Sequence, residues 1–126
     1  MGIRRIAGRK MASAHFSFDE LACRCCGFVH FEAEALAKLE ALRVALGVPF
    51  SPTSACRCPV HNARVGGAPL SQHRACDQRP ATAIDIPLVA PRARLIELAR
   101  AAGFRGLGVS YRTFLHVDNR RVPAQW

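Results

Sequence analysis

The amino-acid sequence predicts a single α+β domain in which a small antiparallel sheet packs with two main helices. Two amphipathic stretches each run into a glycine, as helices with a defined stop do. Short apolar segments with turn residues on either side fill the space between and after them. The strand–helix–strand repetition of a doubly wound sheet is absent. A chain of 126 residues suits one modest core, with no internal repeat or low-complexity linker to divide it.

In chain order, Ser17–Leu21 reads as a short helical turn, with Ser17 as N-cap and Glu20 three residues on. Glu32 to Leu46 carries Leu36, Leu39, Leu42, Val44 and Leu46 and stops at Gly47, which predicts an amphipathic helix. Pro49 to Ser54 is expected as a short strand, and Pro59 to Val65 as a helical turn closed by Gly66 and Gly67. Ala83 to Leu88 reads as a strand, with Pro87 favouring an edge or a strand end. Ala90 or Pro91 opens a second helix through Ala102, with Leu95, Ile96, Leu98 and Ala99 as core positions and Gly103 as its stop. Gly106–Val109 and Phe114–Asp118 complete a strand pair.

Composition narrows the functional classes. Half the residues are hydrophobic and 21% are charged, which excludes a disordered chain. No apolar stretch approaches the roughly 18–20 residues of a membrane span. Eighteen Lys and Arg against nine Asp and Glu give a formal net charge of +9, pointing to an anionic partner. Residues 1–14 read as a flexible basic arm, and 15–126 as the domain. The basic start has no apolar run behind it and fails as a secretory signal, so the expected site of synthesis is the cytoplasm.

The six cysteines cluster as Cys23, Cys25 and Cys26, then Cys56 and Cys58, then Cys76. Disulfides, buried free thiols and a structural metal site are all open. The C-x-C-C and C-x-C spacings are tighter than the usual zinc-ribbon pair. Adjacent Cys25 and Cys26 cannot readily bridge each other, so a disulfide from either needs a distant partner.

Three polar residues break the hydrophobic pattern. His73 follows a Gly-Gly loop, Asp85 lies between Ile84 and Ile86, and His116 interrupts the strand Phe114–Asp118. Two histidines and a carboxylate satisfy a catalytic zinc, which takes three protein ligands and keeps one position open. A carboxylate inside an apolar strand also needs a cation or several donors if it is buried.

The order of the motifs carries more than any one of them. His15-Phe16-Ser17 with Glu20, then Cys23-Arg24-Cys25-Cys26-Gly27, resembles the opening of small M15-type zinc peptidases that act on peptidoglycan. Thr53-Ser54-Ala55-Cys56-Arg57-Cys58-Pro59-Val60-His61-Asn62 is similar to that family's S-G-Y-R-C-P-x-H-N stretch. Val65-Gly66-Gly67, Ser71-x-His73, Ala83-x-Asp85-Ile86, Gly103-Phe104-x-Gly106-x-Gly108 and Phe114-x-His116-x-Asp118 follow in family order, and Pro123–Trp126 looks like its ending. The resemblance covers residues 15–126 and implies a hedgehog/DD-peptidase-like fold.

That resemblance implies one catalytic Zn2+ held by His73, Asp85 and His116. Arg57 matches the family arginine, which binds the substrate or stabilises developing negative charge. Ser71 would position the His73 loop or contact substrate. Many relatives place a carboxylate three residues before the last histidine, where this chain has Thr113. Asp118 shares a strand face with His116 and is therefore expected either to accept a proton as general base or to orient His116. Two further departures concern the His-to-Asp spacing, twelve residues against the usual seven, and Cys56, which replaces the tyrosine. The extra loop, residues 75–80, offers Asp77 as a rival ligand and Cys76 as a tether to the other cysteines.

The expected activity is hydrolysis of a peptide bond in peptidoglycan stem peptides or cross-links, as a D-Ala-D-Ala carboxypeptidase or an endopeptidase of endolysin type. The expected setting is a monomer acting on the cell wall, with a phage or prophage as the expected origin and the positive charge aiding attachment to anionic wall or outer-membrane polymers. A wall-peptide-binding relative without activity is one alternative, suggested by Thr113. A basic zinc-binding nucleic-acid module is the other, disfavoured because no zinc-finger register, basic helix or aromatic RNA motif is present.

Overall fold

The computed structural model describes residues 2–126. Its elements run β1 (Gly2–Ile3), α1 (Phe18–Leu21), β2 (Phe31–Glu32), α2 (Ala33–Leu46), α3 (Pro59–Arg64), β3 (Ala83–Pro87), α4 (Arg92–Ala102), β4 (Gly106–Gly108), β5 (Phe114–Asp118) and β6 (Ala124–Gln125). The domain is α+β, as the sequence predicts. β3, β5, β4 and β6 form one sheet in that order; β5 is antiparallel to β3 and β4, whereas β6 lies parallel to β4. The parallel β6 makes this sheet mixed. A separate antiparallel pair joins β1 to β2.

The local chemistry explains the elements. Ser17 caps α1: its hydroxyl accepts from the Glu20 N–H, and the Glu20 carboxylate accepts from the Ser17 N–H. In α2, Ala35, Leu36, Leu39, Leu42 and Leu46 are buried at three- and four-residue intervals, and Gly47 closes the helix with a left-handed φ of 77°. Val44 falls between those intervals and is exposed. α4 buries Leu95 and Ala99 and ends at Gly103, while Ile96 and Leu98 pack only partly against the core. α4 packs on β5 and α2 packs on α4, and their buried residues share one core with Ile84 and Ile86 of β3 and Leu115 and Val117 of β5.

No strand forms over 49–54. Pro49 and Pro52 have no N–H to offer a ladder, and the segment reaches the sheet only where Ser54 bridges Asp85. Residues 2–14, read from the sequence as a free arm, are docked on the domain. Gly2 and Ile3 pair with β2, Arg4 meets Asp77 at 3.0 Å, and Arg5 meets Asp19 at 3.0 Å. Further on, Ser13 donates to Glu40 at 2.5 Å. Met1 lies outside the described residues.

Candidate metal centre

Alternation along two strands builds the centre. Ile84 and Ile86 point into the core, so Asp85 between them points to the other face of the sheet. β5 repeats the pattern: Leu115 and Val117 go inward, whereas His116 and Asp118 face the same way as Asp85. The register sets Asp85 directly opposite His116, the closest cross-strand placement a sheet offers. His73 arrives from a loop pinned next to Arg57, because the Arg57 N–H donates to the His73 carbonyl at 2.8 Å and the Ala75 N–H to the Arg57 carbonyl at 2.8 Å.

Three ligand-type atoms therefore converge. Asp85 Oδ1 lies 3.0 Å from His73 Nε2 and 3.2 Å from His116 Nδ1. All three residues are buried, with 4%, 3% and 7% of their surface exposed for Asp85, His73 and His116 respectively. The far nitrogen of each histidine is already engaged. His73 Nδ1 is 2.7 Å from the Ala55 carbonyl, an acceptor only, so this nitrogen carries the proton. His116 Nε2 is 2.7 Å from Asp118 Oδ2, and the same reasoning protonates it there. In the neutral rings, His73 Nε2 and His116 Nδ1 are then lone pairs aimed at a carboxylate oxygen. Three acceptors at this separation repel one another unless a cation lies among them, so the donor set fits a metal ion.

The titration behaviour follows from the same crowding. Burial alone would raise the Asp85 carboxyl, but its contacts with His116 and His73 bring it down to about 2. Burial opposes charge on His116, yet Asp118 and Asp85 together raise its pKa. Asp118 would likewise be raised by burial; hydrogen bonds from Arg120 and His116 instead hold it below the usual carboxylate range.

The site opens into a cleft of about 510 Å3 lined by Arg57, Ser71, His73, Asp85, Tyr111, His116, Arg120 and Trp126 among others. Arg57 Nη2 is 3.7 Å from Asp85 Oδ2, and its Nε donates to Ser54 Oγ at 3.3 Å. Ser71 lines the cleft, and its hydroxyl accepts from the His73 N–H at 3.2 Å, so it also stabilises the turn that presents His73. Asp118 does not line the cleft. It has no exposed surface and is held by the Arg120 Nε at 2.8 Å and Nη2 at 2.6 Å. Its place is behind His116.

Thr113 is exposed at the turn before β5, and among the described residues Asp85 is the only carboxylate lining the cleft. Asp77 is not brought to the histidines, because it pairs with Arg4 on the surface. Cys76 stands apart from the other thiols, and no disulfide links any of the six cysteines. Cys56 is buried in the main core, with its thiol raised to about 11 by burial, and presents nothing to the cleft.

Sequence reasoning missed one wall of the cleft. The Trp126 Nε1–H donates to the Tyr111 hydroxyl at 3.1 Å, the Arg120 guanidinium lies 4.5 Å from the Trp126 ring centre, and Tyr111 stacks on Phe114 at 4.6 Å. Arg120 was findable, being two residues beyond Asp118. Trp126 arrives only through the parallel pairing of β6, which no local pattern announces.

A search of curated proteins returned no match. A family model described as Peptidase M15 matches residues 14–118, a span that contains Arg57, Ser71, His73, Asp85, His116 and Asp118. With most of its length matched and a buried His–Asp–His cluster at the floor of its cleft, the chain belongs to the peptidase M15 family.

Proposed function

We propose that the chain is a zinc metallopeptidase that hydrolyses peptide bonds in bacterial peptidoglycan, with His73, Asp85 and His116 as the metal ligands. The observation that carries this reading is the convergence of three ligand-type atoms, from His73, Asp85 and His116, on one point. Both histidines are turned towards that point by acceptors on their far sides. A zinc ion bound there supplies Lewis-acid polarisation and a nucleophile at neutral pH.

The chain's own residues supply the rest. The Ala55 carbonyl fixes the tautomer of His73, and Asp118 fixes that of His116. Arg120 keeps Asp118 ionised, so Asp118 acts as a positioning residue. Arg57, beside Asp85 and open to the cleft, presents a guanidinium to the oxygen on which negative charge develops, or to a substrate carboxylate. Tyr111 and Trp126 give one side of the cleft an aromatic surface against which a peptide can lie.

Purified peptidoglycan and its isolated stem peptides, digested with the chain and separated by mass spectrometry, test the proposal. New muropeptide masses that vanish with a chelator and return with zinc support it, and those masses name the bond. A second reading has its own support: with Thr113 in the loop and, among the described residues, no second carboxylate lining the cleft, a wall-peptide-binding relative without turnover fits the same cavity. Binding of stem peptides by the zinc-loaded chain, with no product after prolonged digestion, replaces the first reading with the second.

A further inference from the structure

A second cluster lies outside the cleft. The chain doubles back at Cys23–Gly27, where the Gly27 N–H donates to the Cys23 carbonyl at 2.8 Å and the Cys23 N–H to the Phe28 carbonyl at 2.9 Å. Gly27 takes a left-handed φ of 76°, which lets the chain turn that tightly. This turn gathers the thiols of Cys23, Cys25 and Cys26, and Cys58 approaches from the far side of the sequence. The four sulfurs lie within 4.8 Å of one another. Cys25 Sγ is 3.5 Å from both Cys23 Sγ and Cys58 Sγ.

Those separations choose between chemistries. A disulfide needs sulfurs about 2.05 Å apart, so no pair is bonded. Four thiolates around one zinc, with Zn–S about 2.3 Å, place neighbouring sulfurs about 3.8 Å apart at the corners of a tetrahedron. Two backbone donors already serve the sulfurs, the Cys58 N–H to Cys23 Sγ at 3.3 Å and the His61 N–H to Cys58 Sγ at 3.4 Å. Such bonds favour the thiolate form that a metal requires. Cys23 and Cys26 also have the C-x2-C spacing of a zinc knuckle, hidden in the sequence by Cys25 between them.

We propose that Cys23, Cys25, Cys26 and Cys58 form a structural zinc site, separate from the His–Asp–His centre. Binding one Zn2+ releases four protons and leaves a centre with two net negative charges, in a chain whose formal charge is +9. Its role follows from what it joins. Cys58 directly follows Arg57, and the Cys56 N–H donates to the Leu21 carbonyl at 3.0 Å, so the 21–27 turn already lies against the 56–58 segment. A metal across these two segments fixes the backbone from which Arg57 reaches Asp85. The inference does not depend on peptidase activity.

Zinc content, thiol titration and intact mass measured on the whole chain test it. The expected result is two zinc ions per chain, one per cluster. His73→Ala keeps one, which a mercurial reagent releases as the thiols are titrated. Cobalt in place of zinc in His73→Ala gives a thiolate-to-cobalt charge-transfer band in the near ultraviolet. A His73→Ala chain with no bound metal and six titratable thiols overturns the proposal, as does a mass about 4 Da light from two disulfides, or iron in place of zinc. These measurements need no cysteine variant and so do not depend on one folding. Loss of the cleft site alone leaves zinc that survives His73→Ala, whereas failure of the thiolate site leaves only zinc that His73→Ala removes.

Discussion

Replacing Asp118 with Asn separates the two roles a carboxylate beside a metal-binding histidine can play. In the native chain Asp118 accepts from His116 Nε2 at 2.7 Å and from the Arg120 guanidinium at 2.8 and 2.6 Å. Asn keeps the volume but removes the charge, and its amide can accept on one atom only. Arg120, which donates to both oxygens, then faces an N–H donor in either orientation of the amide, and His116 does so in one of them. Loss of such an outer carboxylate costs about 10–100-fold in metal affinity, equivalent to about 1.4–2.7 kcal/mol. Folding stability falls by about 1.5–3 kcal/mol, the range for a hydrogen bond to a charged group. Arg120 is partly exposed and can be resolvated, which limits the loss. Competition with a zinc chelator of known affinity reads the first quantity, and urea unfolding of the metal-free chain reads the second. Unchanged zinc affinity with complete loss of turnover would refute the argument, because it would make Asp118 the proton acceptor.

Arg57→Ala lowers kcat/KM by about 100–1000-fold while zinc stoichiometry stays unchanged; loss of the cleft zinc would show that Arg57 holds Asp85 in place instead. Zinc affinity at the cleft falls as pH is lowered through the raised pKa of His116, because the proton and the metal compete for Nδ1; calorimetric titration across pH 5–8 would miss this trend only if His116 were not a ligand. Asp118, depressed in the folded state, adds stability that is fully present above about pH 3.9, its unfolded pKa, and is lost as pH falls through its lower folded value. Unfolding at pH 6 and pH 3 shows a drop that Asp118→Asn reduces, and equal drops in both chains would contradict the assignment. Gly106→Ala destabilises by about 1–3 kcal/mol, since a Cβ at that position would run into the Asp118 carboxylate and Arg120; an unchanged urea midpoint would show that the pair can move aside.

Two members of the centre were legible because they alternate with aliphatic neighbours. Asp85 between two isoleucines and His116 between Leu115 and Val117 are the polar half of a period of two, and that alternation is visible without coordinates. Asp118 was legible as a neighbour of His116, but its role was not, since the choice between base and orienting group depends on burial and on Arg120. The thiol cluster was hidden for a different reason. Cys25 masks the Cys23–Cys26 spacing, and Cys58 joins them only because the 21–27 turn packs against the segment after Ala55. The docking of residues 2–5 was equally invisible, as it rests on two backbone pairs and on ion pairs with residues far away in the chain.

The pairing of Asp85 with His116 has a consequence for how the centre is assembled. A slip of one residue between β3 and β5 would set Leu115 or Val117 opposite Asp85 and turn His116 into the apolar layer beneath the helices. The energy that forbids this comes from Ile84, Ile86, Leu115 and Val117, which are fully buried and make no contribution to chemistry in the cleft. Correct alignment of the ligands is therefore enforced from the opposite side of the sheet by oily side chains, before any ion arrives to reward it.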